Sequence, residues 1–371
     1  MDLRYDCRYF KGIMPCLPHK EHGVECNSNC EYLDSIDQNI LIIKLGAMGD
    51  VIRTTPIITR LKNEYPNGKI FWLTYFPEVL PESVDQPMGF RNEDLVWLRS
   101  LDFIMAINLD KEPEACALMN QLNIQNKYGF GLTKGMPAPL DENANHKFLT
   151  GISDSYSKSN TKHYLEEIFE LCCWEYQDEE YLLPKYEPNE FNIDLENVDG
   201  KVIGLNTGCG GRWTSRKWPN NSWLTLINLL QKEGYTVLLL GGENEDEQNK
   251  KLSGESGAEY MGFFSFKQFI SLVAKCNAVV STVTMAMHVA IGLRKPIVLL
   301  NNIFNQNEFH FFSPSKIVEP DKNCDCYYLP ECTNGRSCIE EISAEKVLAE
   351  IKMILLQFLY VGCLIIQFSH I

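Results

Sequence analysis

The stretch from residue 40 to 56 constrains the fold of this chain more than any other: Ile-Leu-Ile-Ile-Lys-Leu-Gly-Ala-Met-Gly-Asp-Val-Ile-Arg-Thr-Thr-Pro. It reads as a buried strand, a short turn holding two glycines, and a helix that opens on Asp50. In open α/β sheets, ligands sit outside the carboxyl ends of the strands, because backbone N–H groups and the helix dipole converge there. Asp50 thus stands at the mouth of a candidate active site, with the role of a simple helix N-cap as its bland alternative. The spacing is not G-x-G-x-x-G, and a carboxylate is a poor neighbour for a pyrophosphate, so a dinucleotide site is disfavoured.

The same grammar runs on through the chain. Lys69 to Thr74 and Phe103 to Asn108 read as further strands, with helices over about 51–64, 112–122 and 161–174. Residues 176–200 are acidic, carry Pro184 and Pro188, and lack periodicity, which marks a linker. Strands then recur at Val202–Asn206, Thr236–Leu240, Ala278–Ser281 and Pro296–Leu300, interleaved with helices at Asn220–Lys232, about 243–252, Lys267–Lys275 and Met285–Leu293. Strands alternating with helices on either side of one linker predict two doubly wound parallel-sheet domains facing across a cleft. With 371 residues, each domain is large enough to bury its own core.

Composition narrows the function. A net charge of −15 argues against nucleic acid as a partner, since that binding neutralises phosphates with Lys and Arg. No apolar stretch follows Met-Asp-Leu-Arg-Tyr-Asp-Cys at the N-terminus, so the expected location is the cytoplasm. In an acidic chain, three basic residues gathered in Asn206-Thr207-Gly208-Cys209-Gly210-Gly211-Arg212-Trp213-Thr214-Ser215-Arg216-Lys217 stand out. After a strand, such a glycine-rich loop suits a diphosphate: Thr207 and Gly208 offer backbone, Arg216 and Lys217 offer charge. A second anion site is the helix start at Thr284, Met285 and Ala286, with His288 one turn on. The bland readings are a solvated loop for the first, and an N-cap Thr284 with a core His288 for the second.

These runs together resemble family 9 glycosyltransferases, the ADP-heptose heptosyltransferases of lipopolysaccharide core assembly and their relatives. The resemblance rests on residues 40–56, Arg-Lys-Trp-Pro-x-x-x-Trp at 216–223, Leu-Leu-Gly-Gly-Glu at 239–243 and Thr-Met-Ala-Met-His at 284–288, in the family's order. It implies a GT-B fold of two Rossmann-like domains: an acceptor-side domain over residues 38–175 and a sugar-nucleotide domain over 201–320. It implies inverting transfer without a catalytic cofactor, from an ADP-heptose-like donor to a cell-envelope saccharide or a protein. Asp50 matches the proposed general base, with Gly46, Gly49 and Thr54 in the acceptor-side loop. Arg216 matches the phosphate-binding lysine, and Thr284, Met285 and Ala286 the loop that holds the diphosphate. One departure is Val283, where the heptosyltransferases usually carry Asp, which leaves the sugar open. A helix N-terminus also favours the ionised carboxylate and weakens it as a base, so Asp50 either has this offset by the donor's charge or mainly orients the acceptor. The alternatives are a catalytically silent sugar-nucleotide-binding or scaffold protein, and a nucleotide-sugar epimerase on the same fold.

Two cysteine groups flank the domains: Cys7, Cys16, Cys26 and Cys30 within residues 1–37, and Cys324, Cys326, Cys332 and Cys338 within 321–371. Four thiolates can close a tetrahedral zinc or iron site that stabilises a loop-rich segment, and unbound structural or redox cysteines are the alternative. The tail from 353 to 371 has no charged residue, but Gln357, Gln367, Ser369 and His370 weaken it as a span. Val347, Ile351, Ile354, Leu355 and Phe358 mark one apolar face of a helix opened by Ser343, while the end of the tail leaves peripheral contact with the inner membrane open.

Overall fold

The computed structural model describes residues 2–188, 201–321, 326–332, 335 and 337–368, with side chains of the last helix described as far as 358. The chain divides into two compact units. The first comprises Met1–Phe148 and Leu165–Glu179, the second Leu149–Tyr164 and Glu180–Ile371. The expected boundary at 175 is corrected in one respect: residues 149–164 belong with the second unit. Their tie is polar, because Asn305 donates from Nδ2 to the carbonyls of Ser157 and Asn160, each at 2.7 Å. The linker expected over 176–200 is divided between the units at 179/180 and has no helix or strand through 188, and its remainder lies outside the described residues.

The first unit is built on β1 (Gln38–Ile43), β2 (Gly68–Leu73), β3 (Gln86–Met88), β4 (Met105–Asn108), β5 (Asn126–Thr133) and β6 (Met136–Pro139). Their order is β3-β2-β1-β4-β5-β6, parallel throughout except the β5–β6 hairpin. From β1 the chain winds outward to β2 and β3, then returns to place β4 on β1's other side, so the sheet switches direction between β1 and β4. A continuous apolar strand is what a parallel sheet buried on both faces requires, and Ile40 to Ile43 are fully buried.

The second unit carries β7 (Val202–Asn206), β8 (Thr236–Leu240), β9 (Ala278–Thr282), β10 (Ile297–Leu300) and β11 (Ser315–Val318), all parallel in the order β11-β10-β9-β7-β8. Its switch lies between β7 and β9. The helix Ala344–Phe368 packs Val347, Ile351, Ile354 and Leu355 into this unit's core beside Trp218 and Trp223. Phe358, expected on the same face, is exposed. Among the described residues no helix is long and apolar enough to cross a membrane.

The helix read over 51–64 is two: Met48–Thr54 and Pro56–Glu64. Pro56 has no N–H to continue the first helix, and its fixed φ suits the first turn of the next. The first helix starts at Met48 with Ala47 as its N-cap, so Asp50 is its third residue, neither its opener nor its N-cap.

Candidate functional site

The loop after β1 leads at the switch point into helix Met48–Thr54, and Asp50 lies half-exposed in its first turn. Asp50 Oδ2 accepts the Ala47 N–H at 3.2 Å, and Oδ1 pairs with Arg53 at 2.8 Å. Both contacts fix the orientation of the carboxylate. Gly46 lies directly under Phe76: a Cβ there would meet that ring at 3.2 Å. Gly49 is partly exposed in the first turn. Thr54 is buried, and its hydroxyl donates to the Val51 carbonyl at 2.7 Å and the Asp50 carbonyl at 3.1 Å, so it serves the helix backbone.

Around this loop lies a group of titratable residues that sequence reading did not single out. Lys44 ends the loop's strand side and Asp110 follows β4, and the two form a buried ion pair. Beyond them, burial lowers the Lys111 ammonium to about 8, with repulsion from Lys147 adding to the effect. Lys111 rests over the rings of Phe130 and Phe148 at 5.8 and 5.9 Å. Glu112 is raised by burial and by the neighbouring Asp110 carboxylate. Tyr75 is pushed up to about 12 by burial and by its hydrogen bond to Glu114. Their signal was faint because Lys44 and Asp110 meet through the pairing of β1 with β4, and Tyr75 reaches Glu114 from the end of β2, not through spacing along the chain.

In the second unit, the loops after β7 and β9 are laced together. Asn206 Nδ2 donates to the Gly208 carbonyl at 3.3 Å, Ser281 Oγ at 3.3 Å and Thr284 Oγ1 at 3.2 Å. Thr282 Oγ1 donates to the Gly208 carbonyl at 3.1 Å. Arg216, only 7% exposed, donates to the Val283 carbonyl of one loop and, at 2.8 Å, to the Cys209 carbonyl of the other. Its guanidinium also lies near Trp213 and Phe304, at 5.7 and 5.3 Å from the ring centroids. The neighbouring Lys217 is exposed, as is Arg212.

Thr284 is the N-cap of helix Met285–Gly292, but its hydroxyl is engaged with Asn206 and Ser281 and makes no cap bond. The first amides of that helix, including those of Met285 and Ala286, have no acceptor within it, as at any helix start. His288 is buried one turn on, 5.9 Å from the Tyr181 ring. Thr207 is buried, with its hydroxyl donating to Asn249 Oδ1 at 2.5 Å. Gly208 lies against the Glu245 side chain, whose carboxyl group would have to swing aside for a Cβ there. Burial raises the Cys209 thiol against the opposing pull of Arg216. The arrangement is a rigid backbone cradle whose cationic groups divide between a buried one that braces it and exposed ones at its rim.

A family profile described as glycosyltransferase family 9 (heptosyltransferase) matches residues 98–318, more than half of the chain and reaching into both units. The chain belongs to glycosyltransferase family 9. Its lipopolysaccharide heptosyltransferase 2 relative from Escherichia coli K12 is 28% identical over 124 residues, 31% of this chain and 34% of that one. This match thus spans about a third of the relative's length. Lipooligosaccharide heptosyltransferase 2 of Haemophilus influenzae is 23% identical over 294 residues, 71% of this chain and 82% of that one. Among solved structures, the family 9 glycosyltransferase of Veillonella parvula superposes with a TM-score of 0.66 at 17% identity, covering 88% of this chain and 99% of that one. TibC, an iron-containing heptosyltransferase solved with ADP-D-β-D-heptose, gives 0.56 at 12% identity, over 91% and 81%. The two parallel-sheet units of this family 9 chain are the Rossmann-like domains of a GT-B fold.

The cysteines show how far a metal would fit. Cys7, Cys16, Cys26 and Cys30 all line one pocket in the first unit. Cys326 and Cys332 bring their sulfurs to 3.4 Å in the second unit, Cys338 accepts from Asn302 Nδ2 at 3.5 Å, and Cys324 lies outside the described residues. The donor type suits zinc or iron. Yet among the described residues no three metal-ligating side chains come together closely enough to hold an ion. The fit is therefore one of composition and neighbourhood, without a closed ligand set.

Proposed function

We propose that this protein is an inverting glycosyltransferase that moves a heptose-like sugar from an ADP-linked donor to a lipopolysaccharide-core saccharide or a protein. In this reading Asp50 accepts the proton of the attacking acceptor hydroxyl, and the second unit holds the departing nucleotide diphosphate. The observation that carries the reading is that the candidate groups of each unit gather at the carboxyl edge of its sheet beside the switch point, Asp50 beside β1/β4 and the laced loops beside β7/β9. The bound ADP-D-β-D-heptose of TibC supports the donor class.

The chemistry divides among named groups. The ion pair with Arg53 and the Ala47 N–H orient the Asp50 carboxylate. As the glycosidic oxygen leaves, negative charge grows on the diphosphate. The amides of Thr284, Met285 and Ala286, the backbone of Thr207 and Gly208, and the exposed Lys217 meet that charge, a preorganised electrostatic role. Arg216 contributes by keeping both loops in place, and His288 packs behind them. Gly49 leaves the acceptor side open, while Gly46 lets the loop lie against Phe76. Val283 supplies no carboxylate to the donor sugar's hydroxyls, so selection among sugars falls to other groups. The chemistry itself needs no metal in this reading, and zinc or iron at either cysteine group would be structural. The place of action is the cytoplasm, at the inner membrane face if the acceptor is lipid-borne.

The test is turnover of ADP-heptose with a heptose-deficient lipopolysaccharide core. Formation of glycosylated product with the anomeric configuration inverted supports the proposal. Product formed without any acceptor, or ADP binding with no transfer to saccharide or protein acceptors, contradicts it. Elemental analysis of the purified protein, repeated after Cys7→Ser and Cys332→Ser, tests the structural metal: stoichiometric zinc or iron lost with either change supports it, and metal-free wild-type protein removes it.

A further inference from the structure

The buried pair Lys44–Asp110 has no part in the chemistry outlined above, yet its burial calls for a reason. Lys44 is 5% exposed and Asp110 is 4% exposed, and removing two charges from water is costly unless every polar atom is well satisfied. Here the satisfaction is directed at one loop. Asp110 Oδ1 accepts from Lys44 Nζ and Oδ2 accepts from the Leu45 N–H. Lys44 Nζ also donates to the Gly46 carbonyl at 2.5 Å. From the other side, the Leu45 carbonyl accepts the Tyr75 N–H at 2.9 Å and the Thr74 hydroxyl at 3.2 Å. Asp110 is itself fixed, its N–H donating to Asn108 Oδ1 at 3.1 Å while Asn108 Nδ2 donates to the Phe130 carbonyl at 2.8 Å.

We propose that Asp110 is a positioning residue that, with Lys44, fastens the Leu45–Ala47 loop across the β1/β4 switch and so sets the place of Asp50. The line of contact is continuous: Asp110 to Leu45 and Lys44, Lys44 to Gly46, then the Ala47 N–H to the Asp50 carboxylate. A neutral pair would hold strands together, but a carboxylate that accepts both a backbone N–H and an ammonium fixes the loop in angle as well as distance. The inference rests on Asp50 acting as the base.

Three full-length variants test it: Asp110→Asn, Lys44→Met, and the two combined. In hydrogen exchange, Asp110→Asn is expected to speed exchange of the 44–50 segment by about 10- to 100-fold, while β2 is unchanged. In turnover of ADP-heptose with heptose-deficient core, kcat falls by about 10- to 100-fold and the donor KM changes by less than about twofold. The combined variant leaves no unpaired buried charge and regains thermal stability, but kcat stays low. Should Asp110→Asn fail to fold, the combined variant carries both readouts. Unchanged exchange of the 44–50 segment, or wild-type kcat in the combined variant, overturns the proposal. Asp50→Asn separates the two claims. Normal turnover there removes the base and leaves the exchange result standing, whereas an inactive Asp50→Asn beside a fully active Asp110→Asn removes only the positioning role.

Discussion

Replacing Arg216 by Met asks whether its guanidinium serves the protein's own backbone or the ligand directly. In the structure it donates to the Cys209 and Val283 carbonyls from a site only 7% exposed. Hydrogen bonds to a charged partner contribute about 1.5–3 kcal/mol each, and the Val283 bond is the less buried of the two, so the loss is about 2–4 kcal/mol. The guanidinium also lies over the Trp213 and Phe304 rings, a cation–π contact that Met cannot make, which places the loss toward the upper part of that range. For a unit of about 200 residues each kcal/mol moves the melting point by roughly 2–4 °C. The unfolding transition of the second unit should therefore fall by roughly 5–15 °C in calorimetry. Lys217→Met removes an exposed cation, so its melting point should stay within about 2 °C, while ADP affinity measured by titration calorimetry falls about tenfold. Arg216→Lys should fall between, because one ammonium lacks the planar fork that spans two carbonyls. If Arg216→Met lost ADP binding at an unchanged melting point, the guanidinium would be a direct phosphate ligand and the bracing account would be wrong.

Other expectations follow from single sites. Lys111 sits near 8, below its ordinary 10.5, so the unfolded chain binds the extra proton between about pH 8 and 10.5 and burial of the ammonium costs stability in full below pH 8. Lys111→Met should accordingly raise stability by about 1–3 kcal/mol at pH 7, with the gain shrinking toward pH 10, and a pH-independent difference in melting point would refute this. Ile351→Ala opens a cavity in the second unit's core where the side chain is fully buried, and should cost about 2–5 kcal/mol in denaturant unfolding; a loss under 1 kcal/mol would mean that the helix is not docked there. Gly204→Ala drives a Cβ to 2.6 Å from Cys276 Sγ and 2.8 Å from Leu240 Cδ1, both buried, and should cost about 1–3 kcal/mol; unchanged unfolding would show slack between β7 and its neighbours.

Where apolar periodicity and turn chemistry agreed, the sequence was readable to the residue: β7, β8 and helix Asn220–Lys232 lie where the pattern put them. The β5–β6 hairpin escaped because Asn126–Thr133 mixes polar residues with Gly129 and Gly131, and its turn at Lys134-Gly135 sits in a chain otherwise read as parallel. The docking of 149–164 onto the second unit depends on side-chain bonds from Asn305, about 145 residues away, which no local pattern encodes. The candidate site divides the same way. A carboxylate after a strand and glycine turn marked Asp50, and a cluster of cations in an acidic chain marked the 206–217 loop. Residue type did not reveal direction, however: that Arg216 donates to the Cys209 and Val283 carbonyls, bracing both loops, could not be read from the sequence. Asp110 was silent because its meaning comes from the neighbouring strand.

The most direct measurement is the turnover of Asp50→Asn with ADP-heptose and heptose-deficient core, alongside its ADP affinity. A general base contributes about 10²–10⁴ to the rate, so kcat should fall by that factor with ADP binding unchanged. Wild-type kcat in Asp50→Asn would contradict the account, since the first unit would then have no group accepting the acceptor's proton at this position.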